Sequence, residues 1–230
     1  MTAGADRAGE LRDRPVALPV RSSEVAFRGH VWDVRNERFV LDGQEITRHF
    51  VDHTGAVAVL VVDEAERVLL INQYRHPVRL RDWELPAGLL DVPGEDPLAS
   101  AKRELEEEAD LAAADWWVLQ DLLTSPGGSD EGIRVFLARG PSPVETDYVR
   151  EHEEADIEVR WVALDEAVEA VRRGDIANAT TVSALLAAAV SRAAGWRDLR
   201  PADAPWPTRS AGPRATGHPG HVPDEHDRGD

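Results

Sequence analysis

The sequence predicts an α/β (α+β) sandwich with a mixed sheet, preceded by a small antiparallel β-meander. Three observations carry this expectation. Strand-like and helix-like runs alternate irregularly, unlike the even spacing of a Rossmann array. Two dense apolar runs, GAVAVLVV at 55–62 and RVLLINQY at 67–74, flank a polar DEAE turn and read as core strands. Leu164–Val171 and Ala177–Ala194 have helical periodicity, the second rich in Ala and Leu.

Taken in order, residues 1–16 mix Ala, Gly, Arg and Asp without periodicity and are expected to be disordered. Residues 24–41 alternate apolar and polar positions, and Asp42-Gly43 is a hairpin signal before QEITRHFVDH, so a meander is expected over 17–50. A main domain follows over 51–197. Within it, WELPAGLLDVPGE at 83–95 reads as a strand ending in a Pro-Ala-Gly turn and a glycine-containing loop. A helix starts at Asp96-Pro97, an N-cap followed by proline in the first turn, and runs to about Ala109. Ile133–Leu137 and Ile157–Val162 are further strands. Residues 198–230 are expected to form a loose tail: from 201 onward they hold six prolines and four glycines, with Trp206 and Val222 the only large apolar side chains.

The whole-chain numbers narrow the function. The chain has 230 residues, 42% hydrophobic and 30% charged, as in an ordinary globular protein. No apolar run is long enough to span a bilayer, and the first twenty residues lack the apolar core of a secretory signal, so a cytoplasmic location is expected. The absence of cysteine excludes disulfides and thiol catalysis. A net charge of −17 argues against nucleic acid and anionic membranes as partners.

The richest stretch is RELEEEADL at 103–111, with five carboxylates in nine positions. At about 100° per residue, Leu98, Ala101, Leu105 and Ala109 share the buried face of the helix. Glu104 and Glu108 lie about 40° apart at one edge of that face, with Glu107 farther round and Arg103 and Glu106 on other sides. Like charges at this spacing cost a helix roughly 0.2–0.5 kcal/mol. A hard divalent cation would remove that cost; a solvated acidic face would tolerate it. The helix alone leaves both readings open.

Its flanks decide between them. From Gly88 to Leu111 the chain resembles the Nudix box, matching at Gly88, Glu95, Arg103, Glu104, Leu105, Glu107, Glu108 and Leu111. It departs in two places. Six residues rather than five separate Gly88 from Glu95, and Asp110 stands where the box has a glycine. Over roughly residues 24–195 the chain is similar to the ADP-ribose pyrophosphatase subfamily, notably in DGQEITRHFVDHTGAVAVL, INQYRHPVRLRDWELPAG, TSPGGSDE and HEEADIEVRW.

That resemblance implies a Nudix-type α/β/α sandwich and cleavage of ADP-ribose to AMP and ribose 5-phosphate. It implies Mg²⁺ or Mn²⁺ held by Glu104, Glu107, Glu108 and the Ala87 carbonyl. It also implies catalytic carboxylates at Glu107 and at Glu153 or Glu154, with Glu95 and Arg103 bracing the loop and helix. Substrate contacts are implied at Arg48, Arg75, Trp83, Glu84, Pro126, Gly127 and Glu131. Arg79 and Arg81 add local positive charge, and Phe27, Trp32 and Phe50 are candidates to stack a base. The subfamily further implies a homodimer in which the meander completes the partner's site. The rival readings are hydrolysis of another nucleoside diphosphate sugar or of a dinucleotide, a non-catalytic ADP-ribose-sensing domain, and an acidic interaction protein with no site.

Overall fold

The computed structural model describes residues 11–145, 148 and 156–209. It contains two sheets. The first is antiparallel, in the order β1 (Val20–Phe27), β2 (Asp33–Leu41), β3 (Gln44–Asp52). Asp42 and Gly43 turn the second hairpin with φ of 50° and 79°, and Leu41 pairs with Gln44. Two successive positive φ angles are what a two-residue type I′ turn requires, which is why Asp-Gly stands there. The alternating run at 24–41 is not one strand. It breaks at 28–32, where Gly29 donates its N–H to the Asp33 carboxylate at 3.3 Å.

The second sheet is mixed and eight-stranded. It uses β4 (Ala56–Val62), β5 (Arg67–Arg75), β6 (Leu80–Glu84), β7 (Ala87–Leu89), β8 (Leu111–Leu123), β9 (Gly132–Pro143), β10 (Glu158–Ala163) and β11 (Arg200–Pro201). Its main order is β10-β5-β4-β9-β8-β11, with β6 on β5 and β7 on β4. β4 and β9 are parallel and the other pairs antiparallel. β4 changes partner along its length, pairing with β7 at Ala56–Ala58 and with β5 at Val62. The expected strand at 83–95 is thereby divided: β6 ends at Glu84, and after Leu85-Pro86 the chain joins a different neighbour.

Among the described residues three helices complete a sandwich: α1 (Pro97–Ala109) on one face, α2 (Leu164–Arg173) and α3 (Ala179–Ala193) on the other. Strand alternation explains the two cores. Ala58, Leu60 and Val62 point into the α2/α3 side, and Val57, Val59 and Val61 into the α1 side. β4 is therefore buried on both faces, as a strand with a parallel neighbour under two helical layers must be. Each such Val or Leu contributes about 1.5–3 kcal/mol of burial.

α1 follows its local signals. The Asp96 carboxylate accepts from the N–H groups of Leu98 and Ala99, and Pro97 opens the first turn. Asp110 closes the helix in the left-handed region at φ 54°, ψ 38°. The departure from the box glycine is thus accommodated by a residue that visits that region more readily than most.

Two segments differ from expectation. Residues 111–123, to which the pattern assigned nothing, form the long strand β8, with a bulge between Val118 and Gln120. Residues 198–209, expected to be part of a loose tail, pack onto the domain. β11 pairs with Val118 and Trp117, and Ala202, Ala204 and Trp206 join the α1-side core. The cause is Arg134 on β9, which is buried and takes its acceptors from both regions. It binds both oxygens of Asp121, at 2.7 and 3.1 Å, and the carbonyls of Ala204 and Pro205, at 2.7 and 3.0 Å. Its guanidinium also lies 4.8 Å from the Trp206 ring.

Candidate active site

The carboxylate edge of α1 faces the short strand β7. Glu108 is buried, and one of its oxygens accepts the Ala87 N–H at 2.9 Å. Ala87 therefore meets the helix through its amide. Glu104 lies directly over Gly88: a Cβ at position 88 would fall 2.0 Å from the Glu104 carboxyl carbon. Glu104 can keep this place only over a glycine; the close approach and not the backbone conformation is the reason, since the φ of Gly88 is not in the left-handed region.

Arg103 gathers the other carboxylates. Its Nη1 donates to Glu104 Oε1 at 2.7 Å and to Glu107 Oε2 at 3.0 Å. Its Nε and Nη2 donate to the two oxygens of Glu95, each at 3.2 Å. These hydrogen bonds, led by those to Glu95, push its pKa above the already high value of arginine. The bracing role expected for Glu95 and Arg103 has this geometry. It also ties the lengthened loop before Glu95 to the helix.

Among the described residues no three carboxylate or histidine side chains stand close enough to enclose a metal ion as placed. The donor set nevertheless fits one. Glu104 and Glu107 already converge on a single cationic nitrogen, their partner Glu108 is buried one turn away, and every donor is a hard oxygen.

Alternation along β5 and β6 sorts the next group. Leu69 packs in the α1-side core, so Ile71, Gln73 and Arg75 share that face, and Glu84 lies opposite Ile71. Arg75 grips the buried Glu84 side-on through Nε and Nη2, at 2.8 and 2.7 Å, and Gln73 adds a third donor at 3.2 Å. Only two residues, Leu85 and Pro86, lie between Glu84 and Ala87, a reach of about 10 Å at most over three steps. Trp83 has the opposite orientation: it packs against the α2/α3 core and lies under the Arg160 guanidinium at 4.9 Å. Arg81 is committed to the Asp156 carbonyl at 2.7 Å and to Asn72 at 3.3 Å. Arg79 is exposed in the β5–β6 turn, and Arg48 is exposed on β3, donating to the Thr47 carbonyl.

Pro126 and Gly127 sit exposed in the β8–β9 connection, and Glu131 closes it. This loop is fastened to the end of β3. Val51 donates its N–H to the Gly128 carbonyl at 2.9 Å, and the Asp130 N–H returns to the Val51 carbonyl at 3.3 Å. His53, which lies in one of the resembling stretches but has no implied role there, sits beside it. Its ring is buried, 3.3 Å from Glu131 through Nε2, and stacks on Trp32 with centroids 5.2 Å apart. Burial lowers its pKa, against the opposing pull of Glu131 and Asp130. Phe27 is largely exposed and Phe50 half-buried, both on the small sheet. Glu153 and Glu154 lie outside the described residues.

The chain is similar to known proteins in sequence and in fold. A family profile described as the NUDIX domain matches residues 52–185. The ADP-ribose pyrophosphatase of Mycobacterium tuberculosis is 43% identical over 199 residues, covering 84% of this chain and 95% of that protein. The ADP-ribose pyrophosphatase of Bacillus subtilis is 36% identical, covering 71% and 88%. A crystal structure of an ADP compounds hydrolase superposes with a TM-score of 0.66 over 80% of this chain and 99% of that one. Its 21% identity speaks for the fold alone.

Proposed function

The chain belongs to the Nudix family and is a Nudix hydrolase, and from that premise we propose that it cleaves ADP-ribose to AMP and ribose 5-phosphate. The observation that carries this reading is the convergence of Glu104 and Glu107 on one cationic point, beside the buried Glu108 and the Gly88 turn. Such an edge suits a divalent cation, Mg²⁺ or Mn²⁺, with Glu104, Glu107 and Glu108 as carboxylate ligands and the Ala87 carbonyl as a further oxygen donor. When bound, the cation offsets the charge of the diphosphate and makes water a better nucleophile.

The chain's own groups supply the rest. Glu107, or a glutamate of the 151–154 segment, Glu153 or Glu154, accepts the proton of the attacking water. Water adds at phosphorus, the bridging P–O bond breaks, and the leaving phosphate departs with its electron pair. The pinned Glu84–Arg75 pair offers guanidinium N–H groups and charge to the diphosphate from the same face of the sheet. Pro126, Gly127 and Glu131 contact the substrate from the β8–β9 loop, and the half-exposed Trp32 offers its face to the base. Trp83 and Arg48 have a different part in this reading. Trp83 supports β6 from behind, and Arg48 acts, with the rest of the small sheet, toward a second copy of the chain.

A homodimer working in the cytoplasm is part of the same proposal. None of the side chains of β1–β3 belongs to either core cluster, while Val20, Phe27, Trp32 and Leu41 are exposed. A three-stranded sheet that buries so little is stabilised when a partner covers it. Among the described residues no helix is long and apolar enough to cross a membrane.

The test is hydrolysis of ADP-ribose by the purified protein with and without Mg²⁺ or Mn²⁺, with both products identified. AMP and ribose 5-phosphate formed only with metal is the expected result. GDP-mannose cleaved far faster than ADP-ribose would replace the substrate. No turnover of either, with retained binding of ADP-ribose, would favour a sensing domain.

A further inference from the structure

We propose that His53 is a positioning residue that locks the 124–131 loop, through one defined tautomer, to the small sheet and to the turn behind the carboxylate helix. The proposal rests on the reading of that loop as a substrate contact. Four contacts of this residue, three of them made by its buried ring, carry it.

The Gly55 N–H donates to His53 Nδ1 at 3.0 Å. That nitrogen must therefore present its lone pair, and the ring proton sits on Nε2. Nε2 faces Glu131 Oε1 at 3.3 Å, so the protonated edge of the imidazole lies against the carboxylate that closes the loop. The other oxygen of Glu131 accepts the hydroxyl of Thr124 at the opposite end, which draws the two ends of the loop together. The His53 backbone N–H donates to Asp130 Oδ1 at 2.8 Å, one residue earlier in the loop. The far side of the ring is stacked by Trp32 at an interplanar angle of 24°.

Gly55 extends the connection. Its carbonyl accepts the Leu90 N–H at 3.0 Å, where β7 has just left Gly88. A Cβ at Gly55 would stand 3.3 Å from the Gly132 carbonyl, immediately after Glu131, and its φ of 83° is itself a glycine conformation. One imidazole is thus in direct or single-residue contact with the Trp32 connection, the loop of Pro126 and Gly127, and the turn under Glu104.

Two substitutions separate the contacts. His53→Asn keeps an oxygen two residues before Gly55, where an Asx-type turn can accept the same N–H. It loses the donor to Glu131 and the stack on Trp32. His53→Gln reaches farther and can restore the donor to Glu131. Three measurements are made: steady-state kinetics with ADP-ribose and Mg²⁺, amide exchange of residues 124–131, and thermal melting.

The expected result for His53→Asn is a KM raised about tenfold, as for the loss of one positioning hydrogen bond, with kcat changed far less. Exchange across 124–131 should quicken while the core strands stay protected. His53→Gln should recover part of both effects. Wild-type KM and exchange in His53→Asn overturn the proposal. So does a fall in kcat with unchanged exchange, which would mark a chemical role, or global unfolding of both variants, which would mark a purely structural one. Amide exchange needs no substrate. If the wild-type protein does not cleave ADP-ribose, the substrate reading fails and the exchange comparison still decides the role of His53.

Discussion

Every residue of β4 in the large sheet is buried, and no residue of β1 in the small sheet is. The large sheet carries its own cores on both faces, filled by side chains such as Leu60, Leu69, Leu105 and Phe136. The small sheet is held by polar pairs instead. Arg35 bridges to Asp52 and to Ser23, and Ser23 in turn bonds Glu37. It touches the domain at the end of β3, where Val51 and His53 fasten the 124–131 loop. The difference teaches a division of labour. One region is stable within a single chain, so it can hold a rigid carboxylate edge. The other buries little of itself, which suits the homodimer proposed above.

Truncation tests this division most strongly. Leu105→Ala, in the α1-side core, should cost about 2–5 kcal/mol in denaturant unfolding. Phe27→Ala on the small sheet should change the unfolding of the domain by less than about 0.5 kcal/mol. It should instead weaken self-association, measured by sedimentation. Equal losses of stability at the two positions would break the comparison.

The next effect is on chemistry rather than folding. Glu104→Gln should lower kcat by about 10²–10³-fold, the scale of losing one charged contact to a transition state. Its melting temperature should change little, because the attraction to Arg103 that is lost is offset by removing a like-charge neighbour of Glu108. Unchanged hydrolysis would sink the metal-site reading.

Gly88→Ala is sharper. The new methyl group meets the tip of a side chain, so stability should drop little. Glu104 must move by an ångström or more, and activity should fall about 100-fold. Wild-type kinetics in this variant would mean that the carboxylate does not need its place over the turn.

The smallest effect links the two sheets through His53. Its pKa is lowered from the ordinary 6.5, so the unfolded chain binds a proton here more readily than the folded one. Stability from this group is fully present above pH 6.5 and is lost as pH falls through the lowered folded value. His53→Asn should remove that part of the pH dependence, read from melting curves across the acid range. An identical slope in the variant would show that other groups carry it.

Much of α1 was legible in advance. Its N-cap, its proline, its apolar stripe and its left-handed Asp110 depend on residues within a few positions of one another. The same holds for the Asp42-Gly43 turn and for the burial of β4. β8 was not legible. LAAADWWVLQDLL mixes helix-forming alanines with no clean alternation, and only pairing with β9 over its full length makes it a strand. The packed segment 200–209 was hidden for a related reason. Its composition is that of a tail, and the arginine that holds it lies some seventy residues earlier.

The sequence by itself determined the carboxylate helix, its register and its family pattern, because spacing of three and four residues is set by the α-helix alone. Tertiary structure decided what each carboxylate meets. It put Glu108 on the Ala87 amide, Glu104 over Gly88 and Arg103 among Glu95, Glu104 and Glu107. It also turned Trp83 to the face away from α1 and brought His53 to Glu131. Those outcomes depend on strand register and on contacts between residues far apart in the chain. A one-residue change of register would exchange the faces of β6, and no local propensity encodes that choice.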